Sequence, residues 1–250
     1  MLPFQQDGLW RVTALVRRRA GIDEAHFTDR LVQSLAPATA GVIGGDARLV
    51  VDRRPAALDP AVGGLSPPLF DGLLGLWFED EALVAPVMNR LGEDATVRRI
   101  AGDIIDPAGG ALWLAEVFPI KPEEGASRIK FLAAGDAAEG WSIADAQRYW
   151  RDVHPVVART APMVWEPLTR YVQFHGRPAP EGVDRDPWLG VWKLVPLCAE
   201  MGFAREQDFI LNYSNEQFRT IIRPDEEKFS RPGEMLAFVS DQERELVPHD

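Results

Sequence analysis

A single cysteine, Cys198, excludes an intrachain disulfide framework and cannot build a thiolate metal site. A lone thiol fits a reducing compartment. No apolar run approaches the ~20 residues needed to span a bilayer. Residues 1–7 show neither the basic nor the apolar region of a secretory signal, so a cytoplasmic protein is expected. Positive charge is also scarce: 27 Lys and Arg face 38 Asp and Glu, a net charge of −11. An acidic surface repels nucleic acid and anionic membranes, and neither is an expected partner. The histidines, His26, His154, His175 and His249, form no H-E-x-x-H or H-x-x-E-H spacing, so no metal site is expected. The glycine-rich stretch Gly41-Val42-Ile43-Gly44-Gly45 lacks the lysine and the spacing of a phosphate loop. No serine sits in a G-x-S-x-G elbow. With no cofactor motif in the chain, chemistry without a cofactor is expected.

What the chain does have is apolar material and internal similarity. Hydrophobic residues make up 46% of it, with eight tryptophans, enough for two cores. Arg48-Leu49-Val50 is echoed by Arg170-Tyr171-Val172, and Leu74-Gly75-Leu76-Trp77 by Leu189-Gly190-Val191-Trp192. A repeat near half the chain length implies two similar units that pack as a pair. Where the first copy has Leu49 and Ala36, the second has Tyr171 and His154, which directs the search for function to the second half.

Periodicity predicts strands over 10–17, 48–52, 70–78 and 112–118, and helices over 24–35 and 79–91. The second half repeats the order, with strands over 129–133, 168–175, 188–195 and 235–240. Its helices are expected over 142–153 and, interrupted, over 205–222. Ser142 and Asp145 make a capping-box-like pair. A Pro-Gly-rich loop is expected over 54–68. Each half therefore reads β-α-β-β-α-β, the ferredoxin-like order. The expected units are residues 8–122 and 126–242. Such a unit carries both helices on one sheet face, and two units can cover each other's bare faces. The expected fold is α+β, two ferredoxin-like units forming a barrel within one chain and enclosing a space between the sheets.

Alternation sorts the candidate site residues. On 168–175 one face carries Leu168, Arg170, Val172 and Phe174, suited to packing under helices. The other carries Thr169, Tyr171, Gln173 and His175, which either line a ligand cavity or are solvated at a sheet edge. Gly75 with Trp77, and Gly190 with Trp192, leave room for close approach on equivalent strand faces, although tryptophan also packs ordinary cores. Trp150 and Arg151 share a helix side with His154, and Pro155 bends the chain there. Imidazole changes charge near neutrality and can act as acid or base, while a capping histidine is the structural alternative.

The stretch Arg148-Tyr149-Trp150-Arg151-Asp152-Val153-His154-Pro155, followed by Leu168-Thr169-Arg170-Tyr171-Val172-Gln173, resembles the EthD family. That family carries a Tyr-Trp-x-x-x-His stretch and, soon after, a strand like Arg-Tyr-Val-Gln. The resemblance implies a dimeric α+β barrel made here from tandem copies, with the family histidine at His154 and Tyr149 and Trp150 as its neighbours. Relatives of that fold include polyketide cyclases, dehydratases, cofactor-independent oxygenases and haem proteins. The first unit has Leu35-Ala36 at the histidine position, which implies one active pocket.

The leading expectation is a cofactor-free acid/base enzyme, a lyase, dehydratase or cyclase, acting on a hydrophobic aromatic or polyketide-like molecule. His154 would shuttle the proton, Tyr171 and His175 would polarise an oxygen, and Tyr149, Trp150, Gln173, Trp192 and Trp77 would contact the substrate. The alternatives are a monooxygenase, cofactor-free or with haem on His154 or His175, and a non-catalytic ligand-binding accessory protein. A homodimer beyond the intrachain pair is left open.

Overall fold

The computed structural model describes residues 8–55, 69–186, 188–231 and 236–246, with the side chains of 242–246 excepted. The loop expected over 54–68 and the strand start at Met235 lie largely outside the described residues. The first half contains β1 (Trp10–Arg18), α1 (Glu24–Arg30), α2 (Ala36–Ile43), β2 (Arg48–Arg53), β3 (Gly72–Phe78), α3 (Val84–Glu93), α4 (Ala95–Ile104) and β4 (Ile105–Lys121). The second contains β5 (Ile129–Ala137), α5 (Ile143–Asp152), α6 (His154–Arg159), α7 (Pro162–Trp165), β6 (Leu168–Arg177), β7 (Val191–Trp192) and β8 (Leu197–Phe203). It ends with α8 (Glu206–Ser214), α9 (Arg223–Phe229), β9 (Ser230–Arg231), β10 (Ala237–Ser240) and β11 (Gln242–Leu246).

The strand order is β10-β5-β8-β6-β4-β1-β3-β2-β11. Within each half this is the ferredoxin-like arrangement, and β4 joins the halves by antiparallel pairing with β6. One chain segment then closes the sheet. Its first part, β10, pairs with β5, and its second part, β11, pairs with β2 beyond the bend at Asp241. The result is an intrachain dimeric α+β barrel with helices outside.

Strand alternation gives every main strand an inner and an outer face. Outward residues of the first half, such as Val12, Leu76 and Leu114, pack under α1 to α4. Inward residues, among them Leu15, Trp77, Trp113, Val172 and Phe174, fill the barrel. Charged groups are buried there too. Arg11 Nη1 donates to Glu200 at 2.8 Å, Arg170 donates to the other oxygen of Glu200, and Lys130 meets Asp52 at 2.6 Å. The last pair ties β5 to β2, the two strands that the closing segment also joins.

Several expectations are corrected. The helix beginning at Glu24 runs past Ala36-Pro37 to Ile43. A π turn over Leu31–Leu35 resets the hydrogen-bond ladder, so Pro37 falls in the first turn of α2, where its missing N–H is tolerated. After α3, Asp94 caps a further helix, α4, from its side chain onto Thr96 and Val97 N–H. The third strand of the second unit is β8, whereas the expected 188–195 strand shrinks to β7, two residues running parallel to β4. Leu189-Gly190-Val191-Trp192 is therefore no structural counterpart of β3. The faces of β6 are also reversed: Arg170, Val172 and Phe174 point into the barrel, and Tyr171, Gln173 and His175 lie under the helices. A register shift between Leu168 and Arg170 puts Leu168 on the same side as Tyr171.

Gly75 does admit a close neighbour, but the neighbour belongs to the chain. A Cβ there would stand 2.8 Å from Arg11 Nε, and the Arg11 guanidinium lies over the Trp77 and Phe174 rings at 4.8 and 4.6 Å. Gly176 is tighter, since a Cβ would lie 1.8 Å from the Val195 carbonyl oxygen. Gly176→Ala is expected to destabilise the fold by about 1–3 kcal/mol through forced backbone movement. An unchanged denaturation midpoint would contradict that packing.

Candidate active site

His154 owes its position to a break between two helices. Ser142 caps α5 by accepting the Asp145 N–H, and the run ends at Val153, whose φ of −109° departs from helical geometry. α6 restarts with His154 and Pro155, both buried. The imidazole thus opens a helix rather than closing one, as the expected bend had implied. Its Nδ1 lies 2.8 Å from Asp225 Oδ2. An ionised carboxylate can only accept, so Nδ1 carries a proton, and in the neutral ring Nε2 is the acceptor.

Asp225 sits in the first turn of α9, after a π turn over Phe218–Ile222. Its other oxygen accepts the Tyr149 hydroxyl at 2.7 Å and the Lys228 ammonium at 3.0 Å. Burial would raise this carboxyl, but the hydrogen bonds from His154, Tyr149 and Lys228 prevail and hold it at about 2. Asp225 is ionised throughout the neutral range, as a group that orients an imidazole must be.

A cavity of about 280 Å³ lies between the outer face of the second unit's sheet and its helices. Its walls are mostly apolar and aromatic, including Phe131, Trp150, Trp165, Met201 and Phe229. His154, Tyr171, Asn212 and Glu226 supply polar edges. Burial raises the Glu226 carboxyl above its ordinary range, with His154 and Arg223 opposing. Asn212 Nδ2 donates to the Val164 carbonyl at 2.7 Å, which ties α8 to α7.

Behind this wall runs a hydrogen-bonded chain. Gln173 Nε2 donates to the Trp150 carbonyl at 2.8 Å and to the Tyr171 hydroxyl oxygen at 3.1 Å. Its Oε1 lies 3.1 Å from His175 Nε2. His175 stacks on Trp150, with ring centroids 5.3 Å apart and planes inclined by 15°. Burial, aided by Arg177 and Arg151, depresses the His175 imidazole to about 3, so the ring is neutral. The unfolded chain binds that proton near pH 6.5. Stability from this residue is therefore complete above about pH 6.5 and is lost as pH falls toward about 3. His175→Gln protein is expected to show a smaller drop in thermal midpoint between about pH 7 and pH 5 than the parent. Equal drops would assign the acid sensitivity elsewhere.

The expected site residues are thus divided. His154, Trp150 and Tyr171 meet at one cavity, with Tyr149 behind Asp225. Gln173 and His175 stand behind Trp150 and do not line the space, so His175 is placed neither to polarise a substrate nor to ligate haem. Trp77 is packed inside the barrel and Trp192 against the first unit's core. Among the described residues the space expected between the sheets holds a core of packed side chains, and the cavity beside His154 lies on the other side of the sheet. Glu226 also lines that cavity. Asp225 is not legible in the sequence, because nothing local links it to a histidine 71 residues away.

Among the described residues no group of His, Cys, Asp and Glu could hold a metal ion, and no helix is long and apolar enough to cross a membrane. No family model and no curated protein matches the chain. Solved structures do match. An anthrone oxidase-like protein superposes with a TM-score of 0.61 at 10% identity, over 96% of this chain and 94% of its own. A mutant chlorite dismutase from Candidatus Nitrospira defluvii gives 0.50 at 10% identity, over 95% of this chain and 93% of its own. These likenesses carry the dimeric α+β barrel fold; function is argued from the site.

Proposed function

We propose that the chain is an acid/base enzyme that removes a proton from an apolar, ring-bearing small molecule held against His154. The buried His154–Asp225 pair at the wall of an apolar cavity carries this reading. Asp225 fixes the Nδ1–H tautomer and stabilises the imidazolium formed when Nε2 takes a proton from an acidic C–H or phenol. Glu226 is placed to return a proton. The cavity volume is just under the ~300–1,000 Å³ usual for ligand sites, which suits a compact ligand of a few rings.

The electron pair left on carbon can expel a neighbouring hydroxyl as water, attack a carbonyl within the same molecule, or be passed to dioxygen. The first two are the lyase and cyclase branches, and the third is the monooxygenase branch. The anthrone oxidase-like neighbour favours the oxygen branch. The EthD-like residues 148–155 and 168–173 both lie in the second unit, and if the halves are tandem copies the first, with Leu35-Ala36 at the histidine position, lacks the acid/base group.

Deuterium uptake tests the shared first step. Anthrone incubated with the protein in D₂O should exchange its acidic ring-carbon hydrogens faster than in buffer. Oxygen consumption then separates oxygenation from elimination or cyclisation. No exchange above buffer removes the acid/base reading, and binding without exchange supports a carrier.

A second reading rests on the same imidazole. A histidine whose Nδ1 is tied to a carboxylate and which borders an apolar cavity also has the chemistry of an axial haem ligand. Haem bound at His154 would supply one-electron and oxygen chemistry, with Asp225 setting the ligand's basicity. The volume argues for the smaller ligand, whereas the donor chemistry accommodates both. A Soret band in the purified protein decides for haem.

A further inference from the structure

The hydrogen bonds behind the cavity fix a direction that no single residue reveals. The Trp150 carbonyl can only accept, so the Gln173 atom 2.8 Å from it is the amide nitrogen. The Gln173 oxygen then faces His175 Nε2, and that nitrogen bears the proton of the neutral ring. The second hydrogen of the Gln173 amide points to the Tyr171 oxygen at 3.1 Å. Tyr171 is therefore an acceptor toward Gln173. Among the described residues no acceptor takes the Tyr171 O–H, while the side chain is buried and lines the cavity.

We infer that Tyr171 is a hydrogen-bond donor to the bound ligand, so that the cavity selects ring systems carrying an acceptor oxygen, such as ketones or quinones, over the parent hydrocarbons. The inference deepens the proposed function, since it names the substrate group that the same cavity recognises. Burial raises the Tyr171 phenol well above its ordinary range, against the hydrogen bonds from Gln173 and Trp150, so the donor keeps its proton at neutral pH. The chain of partners also explains why a neutral His175 lies behind the site. Its proton holds the Gln173 oxygen, the Gln173 amide holds the Tyr171 oxygen, and the phenol proton is left for the ligand.

A donor aimed at the ligand suits the proposed chemistry. Proton loss beside a carbonyl moves negative charge onto its oxygen, and a donor there strengthens as that charge grows. Tyr171 and His154 would then act on the two ends of one enolising unit.

The test compares 9-fluorenone with fluorene, which share a tricyclic frame and differ at one carbon, by quenching of tryptophan fluorescence. The parent protein should bind the ketone roughly tenfold more tightly, the worth of one satisfied hydrogen bond. Tyr171→Phe should remove that preference and leave fluorene affinity unchanged. The carbonyl stretch of bound fluorenone supplies a second readout on the parent protein, and it should lie below its value in a hydrocarbon solvent. Equal affinities, an unshifted stretch, failure of both probes to bind, or a preference retained in Tyr171→Phe would each overturn the assignment. In His154→Ala the ketone preference should persist. Deuterium exchange that also persists in that variant would end the acid/base reading while leaving the donor assignment intact.

Discussion

Replacing His154 with alanine is expected to slow proton exchange on a ring ketone by about 10²–10⁴, the usual worth of a positioned general base. Among the described residues His154 is the one imidazole lining the cavity, its Nδ1 is committed to Asp225 at 2.8 Å, and Nε2 is the acceptor of the neutral ring. Asp225→Asn should lose much of the same rate, because an amide can present its N–H₂ to the ring and favour the wrong tautomer. Asp225 is a positioning residue, so Asp225→Glu, which restores a carboxylate, should recover part of the loss. A purely structural role predicts the reverse pattern, in which the near-isosteric amide is tolerated better than the longer acid. Exchange by His154→Ala at the parent rate would remove the imidazole from the chemistry.

The largest effect on stability is expected from Glu200. It lies buried inside the barrel between Arg11 and Arg170, which belong to different halves of the chain. Burial pushes its carboxyl upward, but the guanidinia of Arg170 and Arg11 outweigh that and keep it ionised. Removing one member of a buried charge cluster leaves its partner uncompensated, at a cost of about 3–5 kcal/mol. Glu200→Leu should lower the denaturation midpoint accordingly. Arg11 has nowhere else to go, wedged against Gly75 and between the Trp77 and Phe174 rings. A double replacement, Arg11→Met with Glu200→Leu, should recover part of the loss, because apolar groups of similar volume often replace buried ions well. A single Glu200→Leu change within about 0.5 kcal/mol of the parent would show that the cluster is solvated rather than buried.

Much of the fold was legible in the sequence because its main signals are local. The cap at Ser142, the alternation in 168–175 and the repeated element order all arise within short windows. The errors came from what local patterns omit. Alternation divides β6 into two faces but does not say which one meets the helices. The polar face of Tyr171, Gln173 and His175, expected to line the space between the sheets or to be solvated at an edge, lies under the helices, and Arg170 stands inside the barrel. Leu189-Gly190-Val191-Trp192 copies the sequence of β3 without its pairing, whereas Leu197–Phe203, which does pair as the third strand, carries a glutamate and a glycine that weaken the strand pattern. At the site, His154, Trp150 and Tyr171 were readable because α5, α6 and β6 follow one another within a short stretch of chain. Asp225 reaches His154, and Glu226 the cavity, only through the packing of α9 beside α6.

The central claim is that ligand chemistry takes place under the helices of the second unit, beside His154, and not within the barrel. A crystal structure of the protein with fluorenone bound addresses it directly. The account predicts density between β6 and α9, with the ketone oxygen within hydrogen-bond reach of the Tyr171 hydroxyl. Density inside the barrel against Arg11 and Trp77, with the space beside His154 left to solvent, would contradict it.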